Sequence, residues 1–144
     1  MGVVSGRDRL RRVLLGLGVI VTVFGMLHHV DHVVRGNHSG WPFREAVTPF
    51  TFSLLVYALL LPGIYMNLRG RVAAGWWVFT ASVALALVVL VHFLGEDREA
   101  PIRDIYAVYG SPVAGLAALV VLAGLLAGLS ALLISALGAL RRRT

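Results

Sequence analysis

The chain has 144 residues, of which 58% are hydrophobic and 14% are charged, whereas about a quarter of the residues in an average soluble domain are charged. A soluble domain of this size has too little interior to bury so much apolar surface, so the composition excludes an ordinary soluble enzyme and a disordered regulator. The sequence contains no cysteine, which excludes disulfides, thiolate ligands and thiolate nucleophiles. All 13 basic residues are Arg, so there is no lysine for a Schiff base or a P-loop.

Four segments are long and apolar enough to cross a bilayer, which takes about 20 helical residues. Because hydrocarbon offers the backbone no hydrogen-bond partners, each segment is predicted to be a helix. Ser111-Pro112 is typical of a helix N-terminus. Pro62-Gly63 predicts a kink in the second span. In the same span the Tyr57 hydroxyl needs a hydrogen-bond partner. The predicted spans are about 13–34, 49–66, 72–94 and 112–140. We expect an all-α, integral membrane four-helix bundle in which residues 1–144 form a single domain.

Arginine is distributed unevenly between the two sides of these spans. Nine Arg residues lie before the first span, between the second and third, or after the fourth, and four lie in the other two loops. The positive-inside rule therefore predicts that both the N and C termini are cytoplasmic. The basic excess is explained by topology and by attraction to the anionic lipid bilayer, so we expect no nucleic-acid partner. We expect a multi-pass protein of the cell (plasma) membrane, and the all-arginine basic set suggests a prokaryote.

Small residues recur along the fourth span and include the pair Gly124 and Gly128 in a GxxxG pattern. Such residues let helix backbones approach closely in lipid. The pattern fits packing within one chain, and it also fits a homo-oligomer or a membrane partner. Trp76 and Trp77 lie near the predicted inner face, and we interpret them as interfacial anchors.

Four of the five histidines lie between positions 28 and 38, and the fifth, His92, lies near the end of the third span. At about 100° per residue, His28 and His32 share one helix face, whereas His29 points about 100° away from His28. The first and third spans run in the same direction, so His92 is expected at the same outer level. The sequence therefore predicts that His28 and His32 face His92, with Glu96 one turn further on.

This set of side chains is typical of a transition-metal site. Imidazoles at positions i and i+4 can share a cation, and a facing helix can complete the ligand shell. Histidines with a carboxylate suit Zn²⁺, Cu²⁺, Ni²⁺ or Fe²⁺. Asp31 or Glu96 could instead accept a hydrogen bond from the N–H of a ligand imidazole and so orient its ring. The predicted metal-binding residues are His28, His32, His92, Glu96 and Asp31.

Two other hypotheses fit the same residues. Haem b could be held between His28 or His29 and His92, because these histidines lie at matched depth on two spans. Alternatively, the protein is a non-catalytic structural or partner-binding membrane subunit, in which Asp31 pairs with Arg35 and the histidines form hydrogen bonds only. The sequence assigns no catalytic residue and leaves open whether the protein is an enzyme.

Overall fold

The computed structural model describes residues 6–35, 49–94 and 107–142, and the elements within them are all helices. The elements are α1 (Gly6–Val34), α2 (Pro49–Ser53), α3 (Val56–Leu68), α4 (Ala74–Phe93) and α5 (Pro112–Arg141). Four stretches are long and apolar enough to span a membrane: α1, α4, α5, and the stretch Thr51–Leu68 that covers α3 and most of α2. The predicted all-helical fold with four candidate spans is confirmed, and the orientation of the termini stays a prediction.

The helices pack so that α1 and α4 lie diagonally opposite each other. Helix α5 packs against both of them, and α3 packs against the same two helices. Two diagonal helices of a four-helix arrangement meet at its centre, where bundles build their binding sites. Side chains near the C-terminal ends of α1 and α4 can therefore meet inside the protein.

Trp77 of α4 fills the space between two other helices and is fully buried. A Cβ atom at Gly18 of α1 would lie 2.6 Å from its ring, and a Cβ atom at Gly63 of α3 would lie 2.7 Å from it. Its Nε1 donates to the side-chain oxygen of Asn67 at 2.9 Å, and Asn67 donates to the carbonyl of Arg11 at 3.1 Å. The prediction that Trp77 anchors the chain at the membrane interface is wrong, because the two glycines open a slot for the indole inside the bundle.

The second span is broken at Leu54 and Leu55, between α2 and α3. Here the backbone forms i→i+3 bonds, with the Leu55 N–H donating to Phe52 at 3.1 Å and the Ala58 N–H donating to Leu55 at 3.0 Å. Pro62 lies inside α3, which continues through it, and the kink at this position stays a prediction. A proline costs a helix one backbone donor, which packing against neighbouring helices tolerates within a membrane span.

Gly124 and Gly128 of α5 face α1. A Cβ atom at Gly128 would lie 3.2 Å from Val21, and one at Gly124 would collide with the ring of Phe24. This part of the small-residue pattern therefore packs within the chain, and the homo-oligomer or membrane partner stays a prediction. Helix α5 begins as predicted, because the Ser111 hydroxyl accepts a hydrogen bond from the N–H of Ala114 at 3.5 Å.

The contact between Gly18 and Trp77 predicts that alanine substitution destabilises the protein more at Gly18 than at Gly16. Gly18→Ala is expected to lower the free energy of unfolding by about 1–3 kcal/mol relative to Gly16→Ala, because the new methyl overpacks the slot. Gly16 is the matched control, since a Cβ atom there meets nothing within 4 Å and both variants gain the same helix propensity. Denaturant titration in detergent, followed by circular dichroism, measures the difference. Equal stabilities would show that Trp77 does not occupy this slot.

Candidate metal centre

The C-terminal turns of α1 and α4 bring three buried histidines together. His28 and His32 lie one turn apart on α1, and His92 lies in the last turn of α4. Their exposed fractions are 5%, 4% and 2% respectively. Ionisable side chains buried within membrane spans are costly, so they usually mark function.

The three rings converge through their Nε2 atoms. The Nε2 atom of His28 lies 3.0 Å from Nε2 of His92 and 3.2 Å from Nε2 of His32. One nitrogen from each ring lies within 4.8 Å of the other two. The predicted facing of His28 and His32 toward His92 is therefore present in the structure.

A two-centre hydrogen bond accounts for only one of the two contacts of His28 Nε2. The Nε2 atom of a neutral imidazole carries either one hydrogen or one lone pair, so His28 Nε2 cannot form an ordinary hydrogen bond with both neighbours at once. A cation at the centre would accept all three lone pairs. In a tetrahedral shell with metal–nitrogen bonds of about 2.0–2.1 Å, ligand nitrogens lie roughly 3.3–3.4 Å apart, which is close to the two distances of 3.0 and 3.2 Å from His28 Nε2.

The other ring nitrogen of His28 does not fix which nitrogen carries the proton. Its Nδ1 atom is buried and has no hydrogen-bond partner among the described residues. A proton on Nδ1 leaves the Nε2 lone pair directed at the centre of the cluster, which is the tautomer that a metal ligand needs. The donor set and its geometry therefore fit a metal ion bound by His28, His32 and His92.

Asp31 lies beside this cluster but is engaged elsewhere. Arg35 donates to its Oδ2 through Nε at 3.0 Å and Nη2 at 2.8 Å, and Tyr109 donates to its Oδ1. Partial burial and the hydrogen bond to Asp31 raise the pKa of Tyr109 to about 12, so the hydroxyl remains a donor. The pairing of Asp31 with Arg35 is one of the three roles expected for it, and its roles as a metal ligand or as an acceptor from an imidazole N–H stay predictions.

His29 points away from the cluster, as its place on the helix predicts, and its two ring nitrogens bind another set of groups. Its Nδ1 atom lies 2.8 Å from the carbonyl oxygen of Gly25 and 2.8 Å from the hydroxyl of Tyr57, and its Nε2 atom lies 2.9 Å from the hydroxyl of Ser53. Because a carbonyl only accepts, Nδ1 carries the proton, and the Gly25 carbonyl and the Tyr57 hydroxyl share it as acceptors. Ser53 donates to Nε2. Ser53 and Tyr57 flank the break between α2 and α3, so the break allows both hydroxyls to reach His29.

Haem and a single ion place different demands on these histidines. A haem needs room for a flat macrocycle between its two axial imidazoles, whereas the Nε2 atoms of His28 and His92 are in direct contact. His29, the other haem ligand expected on α1, faces α2 and α3. Glu96, the remaining predicted metal ligand, lies outside the described residues.

Sequence reasoning missed the roles of Ser53 and Tyr109. Ser53 binds His29, and Tyr109 binds Asp31. A signal for the first contact is present, because a hydroxyl in the second span and a histidine turned away from the main cluster both need partners in an apolar setting. The chain carries no comparable signal for Tyr109, which lies in the segment that precedes α5.

Comparisons with protein-family models, with curated proteins and with solved structures found no match.

The hydrogen bond of Tyr57 to His29 predicts a stability difference between two tyrosines of α3. Tyr57→Phe is expected to lower the free energy of unfolding by about 0.5–1.5 kcal/mol, because it removes a partner from a part-buried imidazole. Tyr65→Phe is the control, since Tyr65 is on the same helix and is 60% exposed. Denaturant titration in detergent tests both variants. A loss for Tyr65→Phe equal to that for Tyr57→Phe would contradict the assigned contact.

Proposed function

We propose that this chain is a metal-binding membrane protein that holds one first-row transition-metal ion between His28, His32 and His92. The observation that carries the proposal is the convergence of three buried Nε2 atoms from two helices. Neutral imidazole is a good ligand for zinc, copper, iron and nickel. Facing helices of a bundle are a common source of such ligands.

The cost of burial supports the same proposal. Three imidazoles inside a candidate membrane bundle lose their water, and His28 does not recover a partner for Nδ1 among the described residues. Buried polar groups without partners destabilise a fold. An ion bound by the three Nε2 atoms supplies a favourable interaction that offsets this cost.

We also propose that both termini are cytoplasmic and that the protein lies in a prokaryotic plasma membrane, on the argument from the distribution of arginine. The C-terminal ends of α1 and α4 then face the outer side of the membrane. The metal site would accordingly take its ion from outside the cell.

The first test measures bound metal. Protein purified in detergent and exposed to Zn²⁺, Cu²⁺, Ni²⁺ and Fe²⁺ in separate samples is expected to retain about one equivalent of at least one metal, measured by mass spectrometry. His28→Gln and His92→Gln are expected to lower the affinity by more than about 100-fold, because even the loss of an outer-shell partner costs a metal site 10–100-fold.

His29→Gln is the matched control for these variants. It removes a histidine from the same turn of α1, but His29 binds Ser53 and Tyr57 and does not face the other three rings. The control is expected to retain the metal. If wild-type protein binds none of the four metals, the proposal fails and the non-catalytic structural subunit becomes the better hypothesis.

The orientation has its own test, which the cysteine-free sequence makes simple. A single cysteine introduced by Thr144→Cys is expected to react with a membrane-impermeant maleimide only after intact cells are lysed, whereas Ser39→Cys is expected to react in intact cells. Gel-shift labelling measures both. The opposite pattern would place the metal site on the cytoplasmic side and leave metal binding itself unaffected.

A further inference from the structure

We infer that Ser53 and His29 form a second site, in which Ser53 is a nucleophile toward carboxylic esters and His29 is its general base. The observation that carries this inference is a chain of hydrogen bonds from the Ser53 hydroxyl through the imidazole of His29 to the carbonyl of Gly25. These groups belong to α2 and α1, and none of them is one of the three clustered histidines. The inference therefore goes beyond the proposed metal binding and does not depend on it.

The hydrogen bonds of His29 fix the tautomer that a general base needs. The carbonyl oxygen of Gly25 lies 2.8 Å from Nδ1 and can only accept, so Nδ1 carries the proton of the neutral ring. The lone pair of Nε2 is then directed at the Ser53 hydroxyl, whose oxygen lies 2.9 Å away. A hydroxyl within about 2.6–3.2 Å of a base that a third group orients is the arrangement that activates a serine nucleophile.

Another hydroxyl of the protein shows how a helix can satisfy such a group by itself. Thr22 donates to the carbonyl of Gly18, four residues earlier on α1, at 2.8 Å. The hydroxyl of Ser53 donates to an imidazole on a different helix. The Tyr57 hydroxyl, on the other side of the break, lies 2.8 Å from Nδ1 of the same ring. Tyr57 is therefore a positioning residue that helps to hold the ring of His29 toward Ser53.

The surroundings of Ser53 favour an ester that approaches from the lipid. Ser53 is the third residue of the apolar stretch Thr51–Leu68, so at about 1.5 Å per helical residue it lies near one end of the span, within reach of water. Phe52 and Leu55 lie close to it in the chain and are 51% and 60% exposed. These side chains offer apolar contacts to an acyl chain. We therefore expect the substrates to be fatty-acyl esters, whose carbonyl groups lie near the boundary between hydrocarbon and headgroups.

The reaction consumes only the ester and water. The Oγ atom of Ser53 forms a bond with the ester carbonyl carbon while Nε2 of His29 accepts the hydroxyl proton. The bond from that carbon to the alcohol oxygen breaks, and His29 returns the proton to the departing oxygen. Water then attacks the acyl group on Ser53 while Nε2 takes a proton from the water. The bond from the acyl carbon to Oγ breaks, Oγ recovers the proton, and the products are a carboxylic acid and an alcohol.

The experiment treats the full chain in detergent with a fluorophosphonate that carries a long alkyl chain, because such reagents label activated serines covalently. We expect about one equivalent of label on Ser53, located by peptide mass spectrometry, and release of p-nitrophenol from p-nitrophenyl decanoate. Ser53→Ala is expected to abolish both signals. His29→Gln is expected to slow the labelling by about 100-fold or more, which is the usual contribution of a general base.

Ser130→Ala is the matched control, because it removes another half-buried serine from a candidate span. It is expected to be labelled at Ser53 at the wild-type rate. Circular dichroism and gel filtration establish that each variant is folded. The comparison of wild type with Ser53→Ala identifies the nucleophile even when His29→Gln does not fold.

Two results would overturn the inference. One is wild-type protein that takes up no label on Ser53, and the other is folded His29→Gln that is labelled as fast as wild type. Either result leaves the proposed metal binding standing. Conversely, wild-type protein that binds no metal but is labelled on Ser53 would remove the proposed function and retain this second site.

Discussion

A polar group inside hydrocarbon must find its partner within the protein, and this constraint organises the C-terminal turns of α1. His28 and His32 turn toward His92 of α4. His29 turns toward the hydroxyls that flank the break between α2 and α3. Asp31 accepts from Tyr109, shortly before α5 begins. Helices α2, α3 and α4 are thus linked directly to one stretch of α1. The segment that precedes α5 is linked to the same stretch through Tyr109. The rotation of α1 about its axis is thereby set from several sides.

The opposite end of the bundle is held by different chemistry. Trp77 of α4 fits against Gly18 of α1 and Gly63 of α3, and its N–H is satisfied by the buried side chain of Asn67. Because a protein interior has little free volume, a shift of one closely packed helix displaces its neighbours. Gly18 lies ten residues before His28, so the slot for the indole helps to set the separation of α1 and α4 where their histidines meet.

The helical period and the alternating direction of successive spans can be read from the sequence. Together they predict four helices and the meeting of His28 with His92. Trp77 could not be placed in this way, because the slot that receives it depends on glycines from two other helices. The break at Leu54 and Leu55 has no glycine or proline to signal it, and the hydroxyls on either side of it bind His29 of another helix. The sequence allowed Asp31 three roles, because the ion-pair partner Arg35 and the candidate metal ligands His28 and His32 all lie within one helical turn of it.

The ion pair between Asp31 and Arg35 adds little to the assembly of the bundle, because both residues belong to α1 and the cost of desolvating buried charges offsets much of their attraction. A free carboxylate next to three imidazoles would complete a ligand set for a divalent ion. In the structure the Asp31 carboxylate is bound by Arg35 and Tyr109. The ion pair and two of the three clustered histidines therefore share one short stretch of α1.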